Sequence, residues 1–124
     1  DVLLMAAEAY NRGGINDAQA REYLNQVRRR AFGDNNHDVS ASGAALTDFI
    51  LAERRLELFG EGHRFFDLVR WCIAKQTLES YFAFEGGYFN YLKGITIEAR
   101  DDYFPLPQDQ IDRSKGTLKQ SPGY

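Results

Sequence analysis

The 124 residues carry 44% hydrophobic and 27% charged side chains, the size and balance of one globular domain able to bury a core. Eighteen acids against 15 bases give a net charge of −3, which excludes the strongly basic footprint of a nucleic-acid binder. One cysteine, Cys72, excludes an internal disulfide and reads as a small buried hydrophobe, and no run of 18 apolar residues offers a membrane span.

The opening, Asp1 to Tyr10, is already in helical register without an initiator methionine, which suggests a fragment or a processed piece. Periodicity predicts a first helix over 2–12, stopped by Gly13-Gly14, and a second over 17–31 capped by Asn16 or Asp17. Ala20, Tyr23, Leu24 and Val27 form its inward face, and so short a turn makes the two helices an antiparallel hairpin. Their small-large-small spacing fits the second helix of a tetratricopeptide repeat, a unit that needs stacked neighbours to bury its faces. Arg28-Arg29-Arg30 reads as a solvated helix end, where cations complement the dipole.

Residues 33–45 read as a polar, turn-rich loop with little to pack. A third helix follows over 46–59, in which Phe49, Ala52, Leu56 and Phe59 make one apolar face. Gly60 and Gly62 break it, and a fourth helix is predicted over 63–82. Beyond Phe84 the pattern turns irregular, with a weak strand signal at 94–98, an extended Tyr103-Phe104-Pro105-Leu106-Pro107 run and one helical turn from Gln108. The expected architecture is all-α with little or no strand: a hairpin over 1–31, a loop over 33–45, a helical pair over 46–83 and an irregular segment over 84–124.

Glu53, Glu57 and Glu61 stand four residues apart, a stripe of like charges that is stable only when arginines neutralise it. We assign Glu53 and Glu57 to structural ion pairs, with Arg28 and Arg70 as partners. Carboxylates stacked along one helix do not face each other across a sugar as glycoside hydrolysis needs. His63 and Asp67 lie one turn apart, too few ligands for a metal, and read as a hydrogen-bonded pair. No nucleophile, base and orienting group assemble, so no catalytic residue, metal or cofactor is expected.

The aromatic cluster Phe84, Tyr88, Phe89 and Tyr91, with Asn90 and two glycines, fits two readings. Flat rings on a loop stack on the apolar faces of sugars, with tyrosine hydroxyls and Asn90 bonding sugar hydroxyls. The same rings could instead pack on the fold. Exposed coplanar rings would favour a sugar, and a concave helix-lined groove would favour a tetratricopeptide-type module that binds a protein.

Glu53-Arg54-Arg55-Leu56-Glu57-Leu58-Phe59-Gly60-Glu61-Gly62-His63-Arg64-Phe65-Phe66-Asp67-Leu68-Val69-Arg70-Trp71 closely resembles the signature of the SusD/RagB family. Leu3 to Ala9, Tyr23 to Ala31, Tyr103 to Ile111 and Gln120 to Tyr124 resemble further family segments in the family's order, with Gln110 where glutamate is usual. The last of them makes Tyr124 an expected native C-terminus. The resemblance implies a tetratricopeptide scaffold carrying an irregular glycan-binding face, in the C-terminal region of a longer surface lipoprotein. It also implies an oligosaccharide ligand, an outer-membrane, cell-surface location and a TonB-dependent, SusC-like transporter as partner. The matched motifs are scaffold, and no binding residue carries over from them.

Overall fold

The computed structural model describes all 124 residues, which divide into two compact units, 1–64 and 65–124. Six α-helices and two 3-10 turns account for the regular structure, and there is no strand.

In the first unit α1 (Val2–Arg12) and α2 (Asp17–Phe32) form the antiparallel hairpin, and α3 (Gly43–Glu57) packs on both. The hairpin turn closes on the Tyr10 carbonyl, which accepts from the Ile15 N–H at 2.9 Å and the Asn16 N–H at 3.3 Å. Asn16 is the cap of α2, its side chain accepting from the Gln19 N–H at 3.1 Å. Gly33 ends α2 in the left-handed region, where a β-carbon would be strained. Leu4, Ala7, Ala20, Leu24, Val27, Val39, Leu46 and Ile50 make one apolar core, against which Tyr10 and Tyr23 pack edge to face. Five of these eight come from α1 and α2, and three of them, Ala20, Leu24 and Val27, are from the predicted inward face of α2.

The buried face of α3 is not the apolar one. Leu46 and Ile50 are buried, and below them the same face continues with Glu53 and Arg54, each 4% exposed. Phe49, Leu56 and Phe59 stand in solvent at 45%, 71% and 88% exposure. Hydrophobicity alone picks the wrong side of this helix because the charges on the other side are neutralised. Arg28 Nη1 lies 2.5 Å from Glu53 Oε2, and Arg54 Nη1 lies 2.7 Å from Asp1 Oδ1.

The arginine triplet is also paired, even where a side chain stays in solvent, as Arg30 does. Arg28 takes Glu53, Arg29 takes Glu22 and Asp38, and Arg30 takes Glu57. Nor is the 33–45 loop unpacked. Arg21, Asn25, Arg28 and Arg29 share one face of α2, and that face holds the loop: Arg21 donates to Ala41 O at 3.0 Å, and Arg28 Nε to His37 O at 2.8 Å. Asn25 pairs both backbone groups of buried Val39, donating to its carbonyl at 3.0 Å and accepting from its N–H at 2.8 Å.

In the second unit the predicted fourth helix is two helices, α4 (Arg64–Arg70) and α5 (Ala74–Glu85). Cys72 separates them with φ +59°. The Ile73 N–H reaches Leu68 O at 3.0 Å and the Cys72 N–H reaches Val69 O at 2.9 Å, the paired bonds of a left-handed helix terminus. Glycine usually marks this terminus, so a cysteine there gave no signal. Cys72 is exposed, contrary to its reading as a buried hydrophobe. The 94–98 segment is no strand, and α6 (Gln108–Arg113) follows the extended proline run.

Candidate functional site

The C-terminal end of α5 presents the aromatic cluster. Its last turn closes through Gly86 N–H to Phe82 O at 2.8 Å, and the Glu85 carbonyl then accepts from both Tyr88 and Phe89 N–H at 2.8 Å. A 3-10 turn over Asn90–Leu92 completes the cap. A β-carbon on Gly86 would lie 2.8 Å from Phe82 O and 3.4 Å from Lys93 Cγ, so only glycine fits this return of the chain.

This scaffold holds Phe84, Tyr88 and Tyr91 at 67%, 74% and 74% exposure, with Phe89 about half exposed and Asn90 exposed. The rings form two pairs. Phe84 and Tyr88 are 5.9 Å apart and tilted by 60°, and Phe89 and Tyr91 are 5.7 Å apart and tilted by 42°. The five predicted residues are all accessible, and neither pair of rings is coplanar. Each ring offers a face for CH–π stacking and each tyrosine a hydroxyl for hydrogen bonding.

A cleft of about 270 Å³ lies at the opposite end of α5, lined by Val69, Cys72, Ala74, Lys75, Ile97, Glu98, Ala99 and Asp102. One wall is fixed by a clamp on Ile97: Glu79 accepts its N–H at 2.9 Å while Lys75, paired with Glu79 at 2.7 Å, donates to its carbonyl at 2.6 Å. The Lys75 ammonium, then the Ile97 N–H, hold the Glu79 carboxyl below its ordinary pKa. Gln120 clamps Leu106 in the same way, accepting its N–H at 2.8 Å and donating to its carbonyl at 2.9 Å. Sequence reasoning missed Asn25, Lys75, Glu79 and Gln120, because partners 14 to 22 residues away leave no periodic trace.

Of the residues assigned to ion pairs, Arg28 and Glu53 meet each other, Glu57 meets Arg30, and Arg70 meets Asp67 at 2.8 Å. Asp67 thus takes an arginine, and His63 Nε2 lies 4.0 Å from Glu61 instead. No group of three or more His, Cys, Asp or Glu side chains is placed to hold a metal, and no helix is long and apolar enough to cross a membrane.

Residues 1–124 match the SusD family from end to end. The chain belongs to the SusD family. SusD-like protein P2 of Formosa agariphila is 30% identical over 131 aligned positions, covering all of this chain and 24% of that protein. SusD-like protein P25 of the same organism is 43% identical over 83 positions, 64% of this chain and 15% of the relative. The crystal structure of a SusD homolog from Bacteroides thetaiotaomicron superposes with a TM-score of 0.80 at 33% identity, over 99% of this chain and 25% of the other. The chain spans a quarter or less of the length of each of these relatives. The SusD-family likeness fits the all-α, tetratricopeptide-like architecture described above.

Proposed function

We propose that this chain is part of a non-catalytic glycan-binding protein of the cell surface, acting in outer-membrane nutrient uptake beside a TonB-dependent transporter. Membership of the SusD family over residues 1–124 carries the reading, because that family is one of surface oligosaccharide binders. The exposure of the rings at the end of α5, though not their tilt, supports it chemically. Phe84, Tyr88, Phe89 and Tyr91 offer rings and hydroxyls to solvent, with the Asn90 amide beside them. Tyr88 and Tyr91, the most exposed of the four rings, are the leading stacking platforms.

The test is calorimetric titration of the full-length protein with a panel of neutral and acidic oligosaccharides, repeated with Tyr88→Ala and Tyr91→Ala. Each substitution should weaken binding about tenfold, the worth of roughly one aromatic contact. Unchanged affinity with intact folding would remove the cap from the site, and lost stability would mean the rings serve packing.

A further inference from the structure

One wall of the cleft beside α5 is held at both ends and in the middle by different means. The wall is the 3-10 turn Ala99–Asp102 with Glu98 before it, and Glu98, Ala99 and Asp102 line the cleft. Ile97, at its start, is clamped by Lys75 and Glu79, and Phe104, just past its end, lies beside Phe65 and Phe66 with ring centroids 6.1 and 6.4 Å away. Between those two points, every hydrogen bond that leaves residues 98–103 runs to Gly123 or Tyr124.

Arg100 is the centre of that attachment. Its Nη1 donates to Gly123 O at 3.0 Å, and its guanidinium carbon lies 5.8 Å from the centre of the Tyr124 ring. The Tyr124 hydroxyl donates back to the turn, 3.0 Å from Tyr103 O and 3.3 Å from Arg100 O. Gly123 has φ +93°, and a β-carbon there would stand 2.9 Å from Arg100 Cβ, so the close approach needs glycine. Gln120, bonded to both backbone groups of Leu106, fixes the base of the 120–124 segment.

We propose that residues 120–124 are a latch that sets the width of this cleft. Docked on Arg100, the segment holds the 98–103 turn in place. Released, it frees the turn to swing between Ile97 and Phe104, which stay anchored, and the cleft widens. The latch consists of one guanidinium–carbonyl bond, one shared hydroxyl and one ring contact, so its release is a local opening that leaves the helices intact. Such a coupling is reciprocal: undocking the segment opens the cleft, and propping the cleft open undocks the segment. Cys72 lines the same cleft from the link between α4 and α5, and its thiol reports the width directly.

The test compares the full-length protein with its Gly123→Ala and Tyr124→Phe variants by mass spectrometry. Amide exchange is followed over residues 98–103, and the reaction of Cys72 with a bulky maleimide is timed against its reaction with iodoacetamide. Gly123→Ala sets a β-carbon against Arg100 and should raise both the exchange and the maleimide rate about tenfold. Tyr124→Phe keeps the ring and loses only the hydroxyl bonds, and about threefold is expected. Exchange at Val39, in the first unit, should not change. In the unaltered protein, a maleimide on Cys72 should quicken exchange of the Tyr124 N–H, which bonds Ser121 O at 3.2 Å. Unchanged exchange over 98–103 overturns the proposal, as does a Cys72 that is unreactive or keeps its rate while the turn loosens. A Tyr124 amide indifferent to the label on Cys72 overturns it equally. If Gly123→Ala also loosens Val39, Tyr124→Phe alone decides.

Discussion

The two units hold themselves together differently. In residues 1–64 three helices of 11 to 16 residues close on a shared apolar core. In residues 65–124 the helices run 6 to 12 residues, and extended segments between them are fixed by side chains that bond both backbone groups of one residue. A strand neighbour would satisfy those N–H and C=O groups in a sheet. Here Lys75 with Glu79, and Gln120, take that place, as Asn25 does once in the first unit. An extended backbone can therefore be ordered without a sheet, provided its polar groups find partners.

Breaking the core should cost most. Leu24→Ala removes a fully buried side chain, and chemical denaturation should register a loss of about 3 kcal/mol or more. Glu53→Ala should cost about 3 kcal/mol, because Arg28 is left charged and largely buried. Its neighbour provides the contrast: Glu57→Ala should cost under ~1 kcal/mol, since Arg30 stays 70% exposed. Equal losses at both positions would contradict the role given to burial.

The clamps should rank by burial too. Asn25→Ala strands the Val39 backbone in a buried site, at about 2 kcal/mol, and amide exchange at Val39 should quicken. Gln120→Ala acts on a part-buried segment, so about 1 kcal/mol is expected, with faster exchange at Leu106. In the opposite direction, Cys72→Gly should stabilise by about 1 kcal/mol by relieving a left-handed backbone, and thermal melting would show it.

Acid should act in each unit through a carboxylate held by hydrogen bonds, Asp17 in the first and Glu79 in the second. The Gly43 N–H, then the Asn11 amide, hold the Asp17 carboxyl below its ordinary pKa, as Lys75 and Ile97 hold Glu79. A folded pKa below the unfolded one gives stability that is present above about pH 4 and lost as pH falls through the folded value. Asp17→Asn and Glu79→Gln should each flatten the acid limb of a stability–pH curve, by small amounts since both groups are solvated.

Helix periodicity made α1, α2 and most of α3 legible, along with the Asn16 cap and the glycine stops. It fell short in several places, each for a physical reason. The arginines of α2 looked solvated because their partners, Glu53 and Glu57, are on another helix. The fourth helix looked continuous because its terminus uses cysteine in a conformation normally given to glycine. The aromatic cap was visible as composition, but its exposure and ring tilts were not.

The motifs of the sequence marked the family, and by itself the sequence determined the helical class and the hairpin. Those follow from spacing and local propensity, which act over a few residues at a time. Only the tertiary structure decided which face of α3 is buried. Hydrophobicity favours burying Phe49, Leu56 and Phe59, yet the face carrying Glu53 and Arg54 went inside. Burying a charge is tolerable only when an opposite charge meets it, and Arg28 and Asp1 arrive from 25 and 53 residues away.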